Sequence, residues 1–178
     1  MIKETLNKAI CQQINEELYS AYLYASMRAY FESLNLKGFA QWLKIQVQEE
    51  LFHARKFENY LYERGGKVEL YAIKEPPREW SSPVEAFEAV YNHERHISQC
   101  IDKLAELAEK EGDRALRMFL DWYINEQVEE EANAEDILNK LKLVKDAPGG
   151  LFWLDKELSQ RAINPLILSD LTGVPAKE

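Results

Sequence analysis

The sequence predicts an all-α protein: an antiparallel four-helix bundle with one long crossover and a short fifth helix near the C-terminus. Three observations carry this reading. Four long stretches place apolar side chains three and four residues apart, the spacing of a single helical face. No stretch shows the two-residue alternation of a strand. Of the three breaks between the long stretches, two are short and the middle one is long, so two tight hairpins must be joined by a segment that travels the length of the bundle.

The elements follow in order. A first helix runs from about Thr5 to Leu34 on Leu6, Ile10, Ile14, Ala21, Tyr24 and Phe31. After a short break at residues 35–38, a second runs from about Gly38 to Arg64 on Phe39, Leu43, Phe57 and Leu61, and Gly65-Gly66 stops it. The crossover spans Lys67 to Ser82 and contains Pro76-Pro77. Ser82 is then a good N-cap, with Pro83 at the first helical position and Glu85 three residues after the cap. The third helix continues to about Glu111 on Phe87, Tyr91, Ile97, Ile101, Leu104 and Ala108, and Gly112 breaks it. The fourth runs from about Asp113 to Lys145 on Leu116, Leu120, Tyr123, Ala134, Ile137 and Leu141, until Pro148-Gly149-Gly150. A short amphipathic helix from Leu151 to about Ala162 closes the expected domain, residues 1–162. Residues 163–178, with two prolines, read as a C-terminal tail.

Composition narrows the function. A chain of 178 residues can bury a sizeable single core. Its net charge of −9 makes nucleic acid and anionic membranes poor partners. Met1 to Thr5 has no apolar run of the signal-peptide kind, and no segment approaches membrane-spanning length. Cys11 and Cys100 are the only cysteines and read as free thiols. The expectation is a soluble, acidic, cytoplasmic protein.

The chemistry lies in residues that interrupt the apolar stripes. Glu50 and His53 lie three apart, so a carboxylate and an imidazole leave the second helix side by side. Glu17 sits in the stripe of the first helix, Glu94 in the third, and Gln127 with Glu130 in the fourth. The second hairpin repeats the first with an offset of 77 residues, which maps Glu17 to Glu94, Glu49 to Glu126, Glu50 to Gln127 and His53 to Glu130. Measured from the two hairpin turns, these positions have nearly equal depths, so packing the hairpins together gathers them at one level. Any single buried acid is ordinarily explained by an arginine or tyrosine partner, and Arg28 and Arg55 are candidates to neutralise one or two. Four carboxylates converging in an apolar core would repel one another, however, and burial would lift their pKa values. Two divalent cations offset Glu17, Glu50, Glu94 and Glu130 in full. Oxygen ligands with one imidazole and no thiolate suit iron or manganese better than structural zinc. Glu50 is placed to bridge, with Glu17 and His53 on one metal and Glu94 and Glu130 on the other. Gln127 reads as a hydrogen-bond partner.

At this point the chain resembles the ferritins, specifically the non-haem prokaryotic kind. The resemblance extends to about Gln160 and rests on Asn-Glu-Glu-Leu-Tyr-Ser-Ala-Tyr at 15–22, Gln-Glu-Glu-Leu-Phe-His at 48–53 and Asn-Glu-Gln-Val-Glu-Glu-Glu at 125–131. It implies a ferroxidase centre holding two irons on Glu17, Glu50, His53, Glu94 and Glu130, with Gln127 beside it. It implies a third iron site on Glu49, Glu126, Glu129 and Glu130. By the same likeness Tyr24 stands next to the centre as an electron donor, although its place between Ala21 and Arg28 is equally that of a core tyrosine. The resemblance further implies that Fe(II) and O2 are the reactants and that ferric mineral is stored in a hollow homo-oligomeric shell of twenty-four subunits. No haem is expected: bacterioferritins and rubrerythrins carry Glu-x-x-His twice, where this chain has Gln127-x-x-Glu130, and position 52 is Phe rather than a haem-binding Met. Two rival readings are a di-iron oxygenase acting on an organic substrate and a metal-buffering bundle without turnover.

Overall fold

Local chemistry sets most of the helix ends. The computed structural model describes residues 1–173. Four long helices, α1 (Glu4–Ser33), α2 (Lys37–Glu63), α3 (Pro83–Lys110) and α4 (Arg114–Val144), precede two short ones, α5 (Gly150–Leu158) and α6 (Pro165–Thr172). Ser82 Oγ accepts the Glu85 N–H at 3.2 Å, and the Glu85 carboxylate reaches back to the Ser81 N–H at 2.5 Å, so two orphan donors at the start of α3 are satisfied. Asp113 caps α4 through the Leu116 N–H at 3.0 Å and also holds Arg64 at 2.8 Å, tying the end of α2 to the start of α4. The α1–α2 turn needs a left-handed residue, and Asn35 supplies it at φ 58°.

The crossover rides along α1. Asn7 exchanges hydrogen bonds with the Lys67 backbone, Asn15 donates to the Tyr71 carbonyl, Ser26 donates to the Pro77 carbonyl, and Tyr30 packs edge-on against Trp80. Partner numbers rise together, so the crossover runs parallel to α1 and returns the chain to the end where α1 stopped. Helix α3 therefore starts there and runs antiparallel to α1. Cys11 belongs to this seam: its buried thiol accepts the Glu69 N–H at 3.3 Å, and both cysteines are free.

Two apolar lobes fill the bundle. One gathers Leu6, Ile10, Ile14, Phe57, Leu61, Leu116 and Leu120. The other gathers Met27, Phe31, Phe39, Leu43, Phe87 and Leu141, with Phe31 and Phe39 stacked at 4.9 Å. Between the lobes lies a layer of buried polar residues, taken up below.

The C-terminal region departs from the expected tail. Asn164 Oδ1 caps the Leu166 N–H at 3.0 Å, Pro165 opens α6, Ile167 is buried, and Asp170 pairs with Arg55 at 3.2 Å. Eight residues are too few for a periodic stripe to stand out in the sequence. Residues 174–178 of that segment lie outside the described residues. Helix α5 also stops at Leu158, short of the expected Ala162. The turn that follows directs Arg161 back onto α2, where its guanidinium covers the Trp42 ring at 4.5 Å.

Helix α5 docks by capping another helix. No side chain of α2's own N-cap residue closes its start; instead Asp155 Oδ1 accepts the N–H groups of Gly38 at 2.7 Å and Phe39 at 3.1 Å. The approach demands glycine, since a Cβ on Gly38 would fall 1.6 Å from the Asp155 carbonyl oxygen. Asp155→Ala is expected to cost about 1 kcal/mol through the lost cap. Gly38→Ala is expected to cost about 1–3 kcal/mol and to undock α5. Denaturant unfolding of the two variants, with limited proteolysis after Val144, checks both; an unchanged midpoint in Gly38→Ala would show that α5 does not dock this way.

Candidate metal centre

Every helix of the bundle contributes to the polar layer. Glu17 from α1, Glu50 and His53 from α2, Glu94 from α3, and Gln127 and Glu130 from α4 are each 6 % exposed or less. Among the described residues, Glu17, Glu50 and His53 form a buried group whose ligand atoms all lie within 4.8 Å of one another. His53 Nδ1 stands 3.6 Å from Glu50 Oε2. On the other side, Tyr24 Oη donates to Glu94 Oε1, and Gln127 Nε2 donates to Glu94 Oε2 and to the Glu94 carbonyl, both at 3.2 Å. Gln127 thus acts on a carboxylate as a donor. Neither arginine considered from the sequence reaches the layer: Arg28 is exposed and Arg55 is taken by Asp170.

Residues not singled out from the sequence hold the carboxylates in place. Gln13 Nε2 donates to Glu17 Oε1 at 2.9 Å, and Gln46 Nε2 donates to Glu130 Oε2 at 3.0 Å. Tyr123 Oη donates to the His53 carbonyl at 2.8 Å, fixing the backbone beneath the imidazole. Gln13 and Gln46 each stand four residues before a buried Glu on the same helix, a spacing signal present in the sequence. Arg161 left no such signal. Its guanidinium binds Glu49 Oε2 at 2.6 Å across 112 residues of chain.

The electrostatics describe carboxyls short of positive charge. Burial, followed by the charges of Glu94, Glu17 and Glu130, pushes Glu50 well above the usual carboxylate range. Burial also raises Glu17, against the opposing pull of His53 and Gln13. Glu94 is pushed up to about 8 by burial and then by Glu130. Two atoms of the tight group, Glu17 Oε2 and His53 Nε2, are buried without a hydrogen-bond partner. An unpaired buried acceptor costs about 1–3 kcal/mol, so the layer is arranged for something it binds rather than for its own stability. The donor set fits a hard or borderline divalent cation: carboxylate oxygens, one imidazole and no sulfur.

The residues expected for a third site are less gathered. Glu49 is buried and held by Arg161, and burial still pushes its carboxyl up to about 7. Glu126 is half-buried and Glu129 exposed. Burial raises Glu126 as well.

A sign follows for stability without metal. A carboxyl whose pKa is raised on folding binds more protons folded than unfolded, so stability is full below the unfolded value and lost as pH rises through the folded one. For Glu94 the window runs from 4.5 to about 8, with Glu17 and Glu50 shifted in the same direction. Each such proton contributes a slope of about 1.4 kcal/mol per pH unit. Chelator-treated protein is expected to lose stability from pH 5 to pH 8 in denaturant unfolding. Glu94→Gln should flatten the curve, and a divalent cation should restore the loss; a metal-free curve rising with pH would contradict the assignment.

The chain is similar to known proteins over most of its length. Residues 7–144 match the family model described as a ferritin-like domain. A bacterial non-heme ferritin from Bacteroides fragilis is 45 % identical over 161 residues, covering 90 % of this chain and all of the relative. One from Staphylococcus aureus is 34 % identical over 164 residues, covering 92 % and 99 %. Among solved structures, a closed form of the Archaeoglobus fulgidus ferritin made by site-directed mutagenesis superposes with a TM-score of 0.91 at 52 % identity, covering 92 % of this chain and all of that one. The open-pore ferritin of the same archaeon gives 0.90 at 52 % identity, with 91 % and 100 % covered. With bundle, crossover, short fifth helix and buried carboxylate–histidine layer all present, this chain belongs to the ferritin family.

Proposed function

We propose that the protein is an iron-storage ferritin that oxidises Fe(II) with O2 at the buried layer and keeps the ferric product as mineral. The observation that carries this reading is the convergence of Glu17, Glu50 and His53, with unpartnered atoms on Glu17 and His53, inside a ferritin fold. Two Fe(II) ions balance the charge of Glu17, Glu50, Glu94 and Glu130. Glu17 and His53 serve one iron, Glu94 and Glu130 the other, with Glu50 between. Each Fe(II) yields one electron to O2, and the added positive charge is met by oxygen anions derived from O2 and water. Gln127 and Tyr24 hold Glu94 from two directions, and in this reading Tyr24 supplies a further electron.

Assembly into a hollow shell of twenty-four subunits supplies the storage volume. The likeness to ferritins of known structure supports it, as do the aromatic side chains that α5 leaves open, Phe152 at 66 % and Trp153 at 64 % exposure. No helix among the described residues is long and apolar enough to cross a membrane, and free thiols suit a reducing cytoplasm.

Light scattering followed by addition of excess Fe(II) in air tests the reading. A large particle that oxidises iron well beyond two per chain is expected. Glu50→Ala and His53→Ala should slow oxidation by at least about tenfold, and Tyr24→Phe should slow it less. A small oligomer that takes two metals and stops would move the oxygenase or metal-buffer reading ahead.

A third iron on Glu49, Glu126, Glu129 and Glu130 would have to displace Arg161 from Glu49. Arg161→Gln is therefore expected to strengthen binding of a third Fe(II) per chain under anaerobic titration. Equal affinity in the wild type and the variant would leave the third site without Glu49.

A further inference from the structure

We propose that Glu16, His96 and Cys100 form a second metal site, separate from the buried layer, that takes a single thiophilic divalent cation of the zinc class. Glu16 comes from α1, and His96 and Cys100 lie one turn apart on α3. Their ligand atoms lie within 4.8 Å of one another, the second such group among the described residues. His96 Nε2 is 3.2 Å from Glu16 Oε2 and 3.6 Å from Cys100 Sγ.

Those two separations are the edges of a zinc tetrahedron. Bonds of about 2.0–2.1 Å to nitrogen, 2.0–2.2 Å to oxygen and 2.3 Å to sulfur, set at the tetrahedral angle, separate N from O by about 3.3 Å and N from S by about 3.5 Å. Hydrogen bonding explains the group less well. One ring nitrogen donates to the carboxylate or accepts from the thiol, so a single tautomer cannot serve both contacts fully. A cation between the three atoms uses all of them, and with carboxylate and thiolate the charge closes at zero.

The surroundings leave the fourth position to water. Glu16, Cys100 and Lys103 line a cavity of about 410 Å³ together with Gln12, Gln13 and Tyr71. His96 and Glu16 remain half-open, at 50 % and 37 % side-chain exposure, so a hydrated ion has access. Sulfur distinguishes this group from the buried layer, which has none, and favours zinc over iron or manganese. The floor of the same cavity is Gln13, which holds Glu17. Glu16 and Glu17 are consecutive residues, about 100° apart around the helix, so the two sites lie on neighbouring faces of α1.

Cobalt(II) is the probe, because a thiolate-to-cobalt charge-transfer band reports sulfur ligation and the buried layer cannot produce one. Titration of the metal-free, assembled protein without oxygen is expected to raise this band to a plateau whose intensity corresponds to one thiolate-bound cobalt per chain, and Zn²⁺ should remove it. Cys100→Ser should lack the band while Cys11→Ser keeps it, and His96→Ala should weaken cobalt binding by at least about tenfold. Cys100 is on the half-buried face of α3, and Cys100→Ser should retain the assembled size and the wild-type rate of iron oxidation. Absence of the band in wild type, or its survival in Cys100→Ser, would overturn the proposal.

Discussion

The burial of charge between two apolar lobes is the constraint on which the rest of this structure depends. Four glutamates and a histidine occupy positions where leucine would pack at no electrostatic cost. Ile14 and Phe57 in one lobe and Met27 and Leu43 in the other are fully buried. Neighbouring polar groups satisfy this layer only in part: Gln13 takes one oxygen of Glu17, Gln46 takes one of Glu130, and Tyr24 and Gln127 share Glu94. Among the described residues, Glu17 Oε2, His53 Nε2 and Gln46 Oε1 remain unsatisfied, and the first two are metal-ligating atoms the fold holds in reserve. A site supported in this manner is oriented before its cation arrives, which spares reorganisation when it binds.

The internal repeat sets the layer's position, and the departures from the repeat set its chemistry. Two hairpins of matching length place Glu17 and Glu94 at matched depth. At the remaining positions the copies differ: Glu50 against Gln127 and His53 against Glu130. The half built by α1 and α2 holds the imidazole and the unpartnered atoms. In the half built by α3 and α4, Glu94 accepts from both Tyr24 and Gln127. The two halves of the layer therefore offer a bound cation unlike surroundings.

The C-terminal elements connect distant parts of α2. Asp155 closes its first turn, Arg161 binds Glu49 near its middle, and α6 engages Arg55 through Asp170. One short segment thereby touches the helix that carries Glu50 and His53 at three levels. Gly38 is the condition for this docking, because any side chain there would enter the α5 backbone.

The bundle, its crossover and the buried layer were legible from residue spacing alone. Helical periodicity and local caps at Ser82 and Gly112 mark the helices, and the 77-residue repeat places Glu17, Glu50, His53, Glu94, Gln127 and Glu130 at one depth without reference to any contact. These are short-range signals, fixed by 3.6 residues per turn and by turn chemistry. Tertiary structure alone decided the partnerships that cross the chain. The Arg161–Glu49 pair, the Asp155 cap on α2, the Arg55–Asp170 pair that docks α6 and the meeting of Glu16 with His96 and Cys100 each join segments that no periodicity relates. A side chain's depth in a helix can be counted along the sequence, but which groups meet in the folded molecule depends on how helices pack and where loops return, and those are properties of the whole core.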